Sequence, residues 1–247
     1  MVVTATRGAL GFLTRIPVGH DAAAWEAFRR TPVSLVLVGY LLGGLLLLPL
    51  LLPLPAPTLA IGFVVWIYLL TGIAHLDGLA DLGDGLVIHG EAEDRRAVMH
   101  DAQLGVGGTV LVVVAVLGLG LAAVSLAAVP VALLGIVIAA EVGAKLGMVG
   151  MICLGSASHD GLGAQLVDES TPAGLIVPVL VALPAVGVTG VHIAGVTTLI
   201  GGLSGAAAVG WWAHRRIDGI SGDVLGAGNE VARLVGLHLG VVAWMLW

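Results

Sequence analysis

The chain has 247 residues, 58% of them hydrophobic and 11% charged, with 10 Lys plus Arg against 16 Asp plus Glu and a net charge of −6. A soluble domain carries about 25% charged residues. That shortfall and a mean hydropathy of +1.08 exclude a water-soluble globule, and the lack of a basic block excludes nucleic acid as a partner.

In chain order, residues 1–32 are polar and carry Arg7, Arg15, Arg29 and Arg30. They lack the continuous apolar core of a cleavable signal, so none is expected. Seven apolar stretches follow, near 33–54, 58–76, 105–128, 130–152, 173–191, 193–213 and 231–247, most of them about as long as the ~20 residues that cross a bilayer core. The expectation is an all-α, polytopic membrane helix bundle of about seven transmembrane helices, forming one domain over 1–247. Pro178 and Pro184 predict a kinked or broken fifth helix. Glycines inside the stretches, among them Gly43, Gly44, Gly118, Gly120, Gly201, Gly202 and Gly205, predict close helix packing in lipid. The single cysteine, Cys153, rules out an intrachain disulfide and reads as a buried thiol.

Charge is distributed one-sidedly. The N-terminal segment and the connections at 77–104, 153–172 and 214–230 hold nearly all ionisable residues, whereas those near 55–57, 129 and 192 hold no Lys, Arg, Asp or Glu. Arginines at 7, 15, 29, 30, 95, 96, 215 and 216 predict that the charged face is cytoplasmic, in a multi-pass protein of the cell membrane. Within the spans, Glu141 and Lys145 stand out at i, i+4, a spacing that suits either a mutual ion pair or a substrate-facing role.

The stretch "HLDGLADLGDGL" at 75–86 emerges from the second span. On a helix, Asp77, Asp81 and Asp84 fall at i, i+4 and i+7, within ~60° of one another, with no Lys or Arg at i±4. Unpaired carboxylates on one stripe call for a cation, and oxygen-only ligands suit Mg²⁺. Gly78, Gly83 and Gly85 would let a bulky ligand approach the backbone, and His75 reads either as a further ligand or contact, or as a packing residue. A second cluster, "EDRRAVMHDAQLGVGGT" at 93–109, sets Asp94 and Asp101 seven apart, with Arg95 and Arg96 beside the first. The glycines Gly105 and Gly108 open the next helix, where free N–H groups could meet an anion. A third patch at 214–230 brings Asp223 to the same face. Metal, arginines and little else are the requirements of phosphoryl or phosphodiester transfer.

These motifs resemble those of the cobalamin synthase family, the adenosylcobinamide-GDP ribazoletransferases. The resemblance rests on "FLTRIPV" at 12–18, "HLDGLADLGDGL" at 75–86, "DRRAVMHDAQLGVGGT" at 94–109, "GLG" at 161–163 and "SGDVLGA" at 221–227. It implies Mg²⁺-dependent attack by the 5′-hydroxyl of α-ribazole, or of its 5′-phosphate, on adenosylcobinamide-GDP, with loss of GMP. Asp77, Asp81 and Asp84 would then hold Mg²⁺. Arg15, Arg95, His75, Gly105 and Gly108 would contact substrate. Asp81 or Asp101 would take the hydroxyl proton, and Asp223 would orient the nucleophile or a second ion. A homo-oligomer is left open. The chain departs from the family pattern at His100-Asp101-Ala102-Gln103, where a basic residue, Asp and Ser are usual, and at Ser158-His159-Asp160, which has fewer basic residues than expected. Rival classes fit less well. "DGLADLGDG" lacks the arginine of CDP-alcohol phosphotransferases, and a divalent-cation transporter should carry polar residues across the bilayer to both faces.

Overall fold

The computed structural model describes residues 1–19, 21–190 and 192–247. Its helices are α1 (Val2–Leu13), α2 (Ala22–Arg29), α3 (Val33–Leu46), α4 (Ala56–Thr71), α5 (Ala74–Val87), α6 (Ala92–Met99), α7 (Val106–Leu126), α8 (Gly135–Leu154), α9 (Leu162–Asp168), α10 (Ile176–Ala182), α11 (Ile193–Arg216) and α12 (Gly222–Leu246). The chain is therefore a polytopic helical membrane protein, and no strand occurs among the described residues.

All seven expected apolar segments are helical, but they cross differently. Four stretches are long and apolar enough to span, Val33–Leu51, Val106–Leu126, Val131–Leu154 and Ile193–Arg216, or up to six if each of two bent pairs is one span. The first pair is α4 and α5, which meet at 99°. Gly72, at φ 72°, makes the corner in a conformation that residues with a β-carbon rarely adopt. The second pair contains the proline-bearing segment. There α10 is reduced to Ile176–Ala182 between 3₁₀ turns at Pro172–Leu175 and Leu183–Gly187, as Pro178 and Pro184 predict. Val191, the last residue of that expected span, lies outside the described residues. The last helix begins nine residues earlier than the expected 231, at Gly222, so it takes in Asp223 and Glu230 ahead of Arg233.

The core forms where small residues remove side chains from between helices. A β-carbon on Gly43 of α3 would stand 2.5 Å from the Ile138 Cα of α8, and one on Gly205 of α11 would stand 3.0 Å from the Ala232 Cα of α12. The expected packing role of the glycines holds at these sites and at Gly201 and Gly202, whereas Gly44 and Gly120 face open space. Helix α12 packs against α5, α7, α8 and α11, and α8 packs against α3 and α11.

The bend places α5 across the ends of its neighbours. Gly78 lies against the Asp223 backbone of α12, Gly83 against Gly107 and Gly108 of α7, and Gly85 against Met99 and Trp212. These glycines thus admit neighbouring helices, not the bulky ligand that the sequence suggested. Running at right angles to a spanning helix, α5 lies along one face of the bundle.

Two outcomes check this arrangement. Gly78→Val inserts a branched side chain into the α5–α12 contact and should destabilise the protein by about 1–3 kcal/mol, the usual range for overpacking. Gly62→Val, at a position with nothing within 4 Å, should change stability by less than that, as read by thermal unfolding in detergent. In a Cys153→Ala background, cysteines at 90, 160 and 218 should be labelled from one side of the membrane and cysteines at 56 and 247 from the other. Labelling of 160 from the side that reports 56 would contradict the fold.

Candidate active site

The end of the bundle that α5 covers gathers the motifs singled out in the sequence. The Arg15 amide donates to the Leu70 carbonyl at 2.7 Å, and the Arg15 side chain lies beside Gly72 at the α4–α5 corner. Gly163, of the "GLG" triplet, packs on Ser221 and Gly222. Ser158 and Ile220 are joined by a backbone hydrogen bond of 3.1 Å. Ser221 caps α12, its hydroxyl accepting from the Val224 amide at 3.2 Å, and Asp223 follows in the first turn, where the helix dipole favours a carboxylate.

The aspartates divide by environment. Asp77 is exposed, Asp81 and Asp223 are half-buried, and Asp84 is buried. Burial, then the carboxylates of Asp223, Asp77 and Asp84, push Asp81 up to about 7, with His100 pulling the other way. Asp81 therefore sits amid like charge. The stripe expected from the sequence is present, and Asp223 joins it from α12 as the strongest neighbouring charge on Asp81. Asp84 is engaged differently, for its carboxylate accepts from the Gly105 amide at 2.8 Å and the Gly108 amide at 2.9 Å. It caps α7, satisfying two of the amides that a helix N-terminus leaves unpaired. Gly105 and Gly108 accordingly spend their N–H groups on Asp84, so those amides are not free for a substrate anion.

Arg95 takes a position other than that expected, and His75 takes the packing one of its two readings. Arg95 is buried and donates to the Gly85 carbonyl at 2.7 Å, so it holds the end of α5 instead of offering charge at the surface. His75 faces inward. It packs on Gly226 of α12, and its buried Nδ1 has no bonding partner among the described residues. Asp94 forms a capping box with Glu91, and Arg96 bonds Asp218 at 2.8 Å and the Ile217 carbonyl at 3.0 Å, tying α6 to the turn before α12. Asp101 is exposed, one oxygen accepting from the Gln103 amide at 3.0 Å.

The structure also brings together residues far apart in the sequence. His100 and His159, which belong to the two departures from the family pattern, stand with ring centroids 4.9 Å apart and planes at 74°. The His100 Nδ1 lies 2.6 Å from the Arg96 carbonyl, so that nitrogen carries the proton and Nε2 faces away from α6. Deeper in the bundle, Glu141 and Lys145 do form the ion pair, at 3.5 Å, but within a larger network that the sequence reading missed. Arg233 bonds both Glu141 and Glu230, Lys145 bonds Asn229, and the Tyr68 hydroxyl donates to Glu230 at 3.4 Å. The missed signal was Glu230 and Arg233 at i, i+3, a spacing that faces one side of a helix.

A cation has the right donors here but no finished cage. Among the described residues no three His, Cys, Asp or Glu side chains close on one point as placed. The carboxylates around Asp81 are nonetheless all-oxygen donors, and none of Asp77, Asp81 and Asp223 has a Lys or Arg ion-pair partner among the described residues. That chemistry fits Mg²⁺ and not Zn²⁺.

Comparison with known proteins agrees with these motifs. The model of the cobalamin-5-phosphate synthase family matches residues 5–242. Proteins named adenosylcobinamide-GDP ribazoletransferase are similar along their whole length. The one from Halorubrum lacusprofundi is 50% identical, covering 99% of both chains. The one from Haloquadratum walsbyi is 45% identical, covering 100% of both. The one from Methanocella arvoryzae is 34% identical, covering 97% of this chain and 96% of its own. No solved structure matches. With a family model spanning nearly the full length and the family's motifs drawn to one end of the bundle, the chain belongs to the cobalamin-5-phosphate synthase family.

Proposed function

We propose that the chain is an adenosylcobinamide-GDP ribazoletransferase acting at the cytoplasmic face of the cell membrane. The 5′-hydroxyl oxygen of α-ribazole, or of its 5′-phosphate, forms a bond to the phosphorus attached to cobinamide. The bond from that phosphorus to the bridging oxygen breaks, and GMP leaves with the electron pair. The carrying observation is Asp81, crowded by Asp223 and Asp77 with no cationic partner. Asp77, Asp81 and Asp223 would hold Mg²⁺, which when bound neutralises diphosphate charge. Asp84 supports the site from behind by fixing α7.

Arg15 and the His100–His159 pair would meet the anionic substrate at this end. Asp101, with one oxygen unengaged, is the carboxylate available to take the hydroxyl proton. The arginines gathered at this end, including Arg7, Arg29, Arg30, Arg215 and Arg216, give the cytoplasmic orientation. The buried charges do not favour a transporter. Glu141, Lys145, Glu230 and Arg233 are 0–1% exposed and bonded to one another, so they satisfy each other's charge instead of lining an open path.

The aspartates should separate in two measurements. Asp77→Asn, Asp81→Asn and Asp223→Asn should each lower GMP release from adenosylcobinamide-GDP by about 10²-fold or more, as loss of a principal electrostatic contact does, with little change in thermal stability. Asp84→Ala should instead lower stability by about 0.5–2 kcal/mol, as loss of a helix cap does, and leave the Mg²⁺ dependence of its residual activity unchanged. EDTA should stop turnover and Mg²⁺ restore it. Wild-type rates in all three of the first variants would remove the metal assignment.

A further inference from the structure

Away from the carboxylates, helices α8, α10 and α11 enclose a groove of about 640 Å³. Its walls include Met151 and Leu154 of α8, Val179 and Leu183 around α10, and Leu203 of α11. His214 and the indole of Trp211 are the polar groups in the lining. A space of this size with so few polar partners cannot hold ordered water. It opens sideways, where Leu154 is 65% exposed, Leu183 54% and Trp211 64%, so its mouth meets the bilayer. From Leu199 to His214, both in the lining, α11 advances fifteen residues (214 − 199), or roughly 22 Å at 1.5 Å per residue. That exceeds the ~15 Å depth of one leaflet's half of a ~30 Å core.

The end near the charged face is basic. His214, Arg215 and Arg216 form the last turn of α11, and the Arg215 guanidinium lies 5.6 Å from the Trp211 ring centroid. Arg215 and Arg216 make no ion pair among the described residues, and the nearby Asp218 is bonded to Arg96. A dry slot with a cationic mouth and an interfacial tryptophan is complementary to a single kind of molecule.

We propose that this groove binds an anionic phospholipid, one acyl chain lying between α8, α10 and α11 and the headgroup resting on Arg215 and His214. The upper end of the groove is formed by Gly155 and Ile220. Ile220 is paired with Ser156 and Ser158 through backbone hydrogen bonds of 2.7 and 3.1 Å. The bound chain therefore abuts the segment that leads on one side to His159 and on the other to Ser221 and Asp223, and it braces that segment.

The test uses the full-length protein in nanodiscs and reads fluorescence quenching of Trp211 by brominated-chain lipids, taking Trp211→Phe as the blank. Brominated phosphatidylglycerol should quench at a lower mole fraction than brominated phosphatidylcholine. Arg215→Gln should weaken that preference by about fivefold, the effect of one basic residue at an anionic surface. Gly150→Phe fills the groove from a position where an added β-carbon meets nothing within 4 Å, and it should abolish the preference for phosphatidylglycerol, leaving only the quenching by bulk lipid that both lipids share. Inorganic phosphate should not displace the lipid. Equal quenching by the two lipids, or an undiminished preference in Arg215→Gln, overturns the proposal. Displacement by α-ribazole also overturns it, by making the groove a substrate pocket. These readings need no turnover, so they stand apart from the proposed transferase activity.

Discussion

The site depends on a charge balance inside the membrane. Glu141, Lys145, Glu230 and Arg233 are buried where each alone would carry a desolvation penalty of several kcal/mol. They are tolerated because two acids meet two bases, and because Asn229 and Tyr68 take up further hydrogen bonds. Such a set has one good geometry. Sliding α12 along α8 by a turn would separate Arg233 from Glu141 and leave unpaired charge in lipid. The network therefore fixes the height of α12 against α8, and through Tyr68 against α4. Asp223 sits at the top of α12, and α5 follows directly from α4. The register that satisfies the buried charges is thus the register that brings Asp223 to the stripe of Asp77 and Asp81.

Above that anchor, three aspartates of one helical stripe meet three environments. Asp84, turned toward α7, meets two amides and acts as a cap. Asp77 is exposed at the surface. Asp81, between them, is half-buried among other carboxylates, and burial first, then those charges, raise its proton affinity. The difference comes from neighbours and not from spacing: Gly83 and Gly107 allow α5 and α7 to touch, and only at that separation can the Asp84 carboxylate reach both Gly105 and Gly108. Arg95 completes the support by tying α6 to the Gly85 carbonyl. A chain with few charged residues thus uses several of them to hold the platform and keeps a few for chemistry.

Much of this was legible in the sequence. Apolar runs gave the helices, and the proline pair gave the broken fifth segment. The i, i+4, i+7 spacing put the aspartates on one face. What periodicity cannot supply is the partner of each side chain. Asp84 bonds to residues 21 and 24 positions away, so it read as a ligand like its neighbours. Arg95 read as a surface cation because nothing local reveals that the end of α5 covers it. Glu230 and Arg233 lower the hydropathy of their segment, which moved the expected start of the last helix to 231, between the two, and hid the network. Their i, i+3 spacing, set beside the i, i+4 pair of Glu141 and Lys145, was the available clue to two helices sharing buried charges. His100 and His159 read as two separate departures because 59 positions divide them, yet the fold stacks one against the other.

The central claim is that the free carboxylates of α5 and α12, and not the whole aspartate stripe, form the cation site. The most direct measurement is an experimental structure of the full-length protein soaked in Mn²⁺, with the ion located by its anomalous scattering. The account predicts density bounded by Asp77, Asp81 and Asp223, with the Asp84 carboxylate still bonded to the Gly105 and Gly108 amides. Density ligated by Asp84 with those amides released, or an ion remote from Asp223, would contradict it.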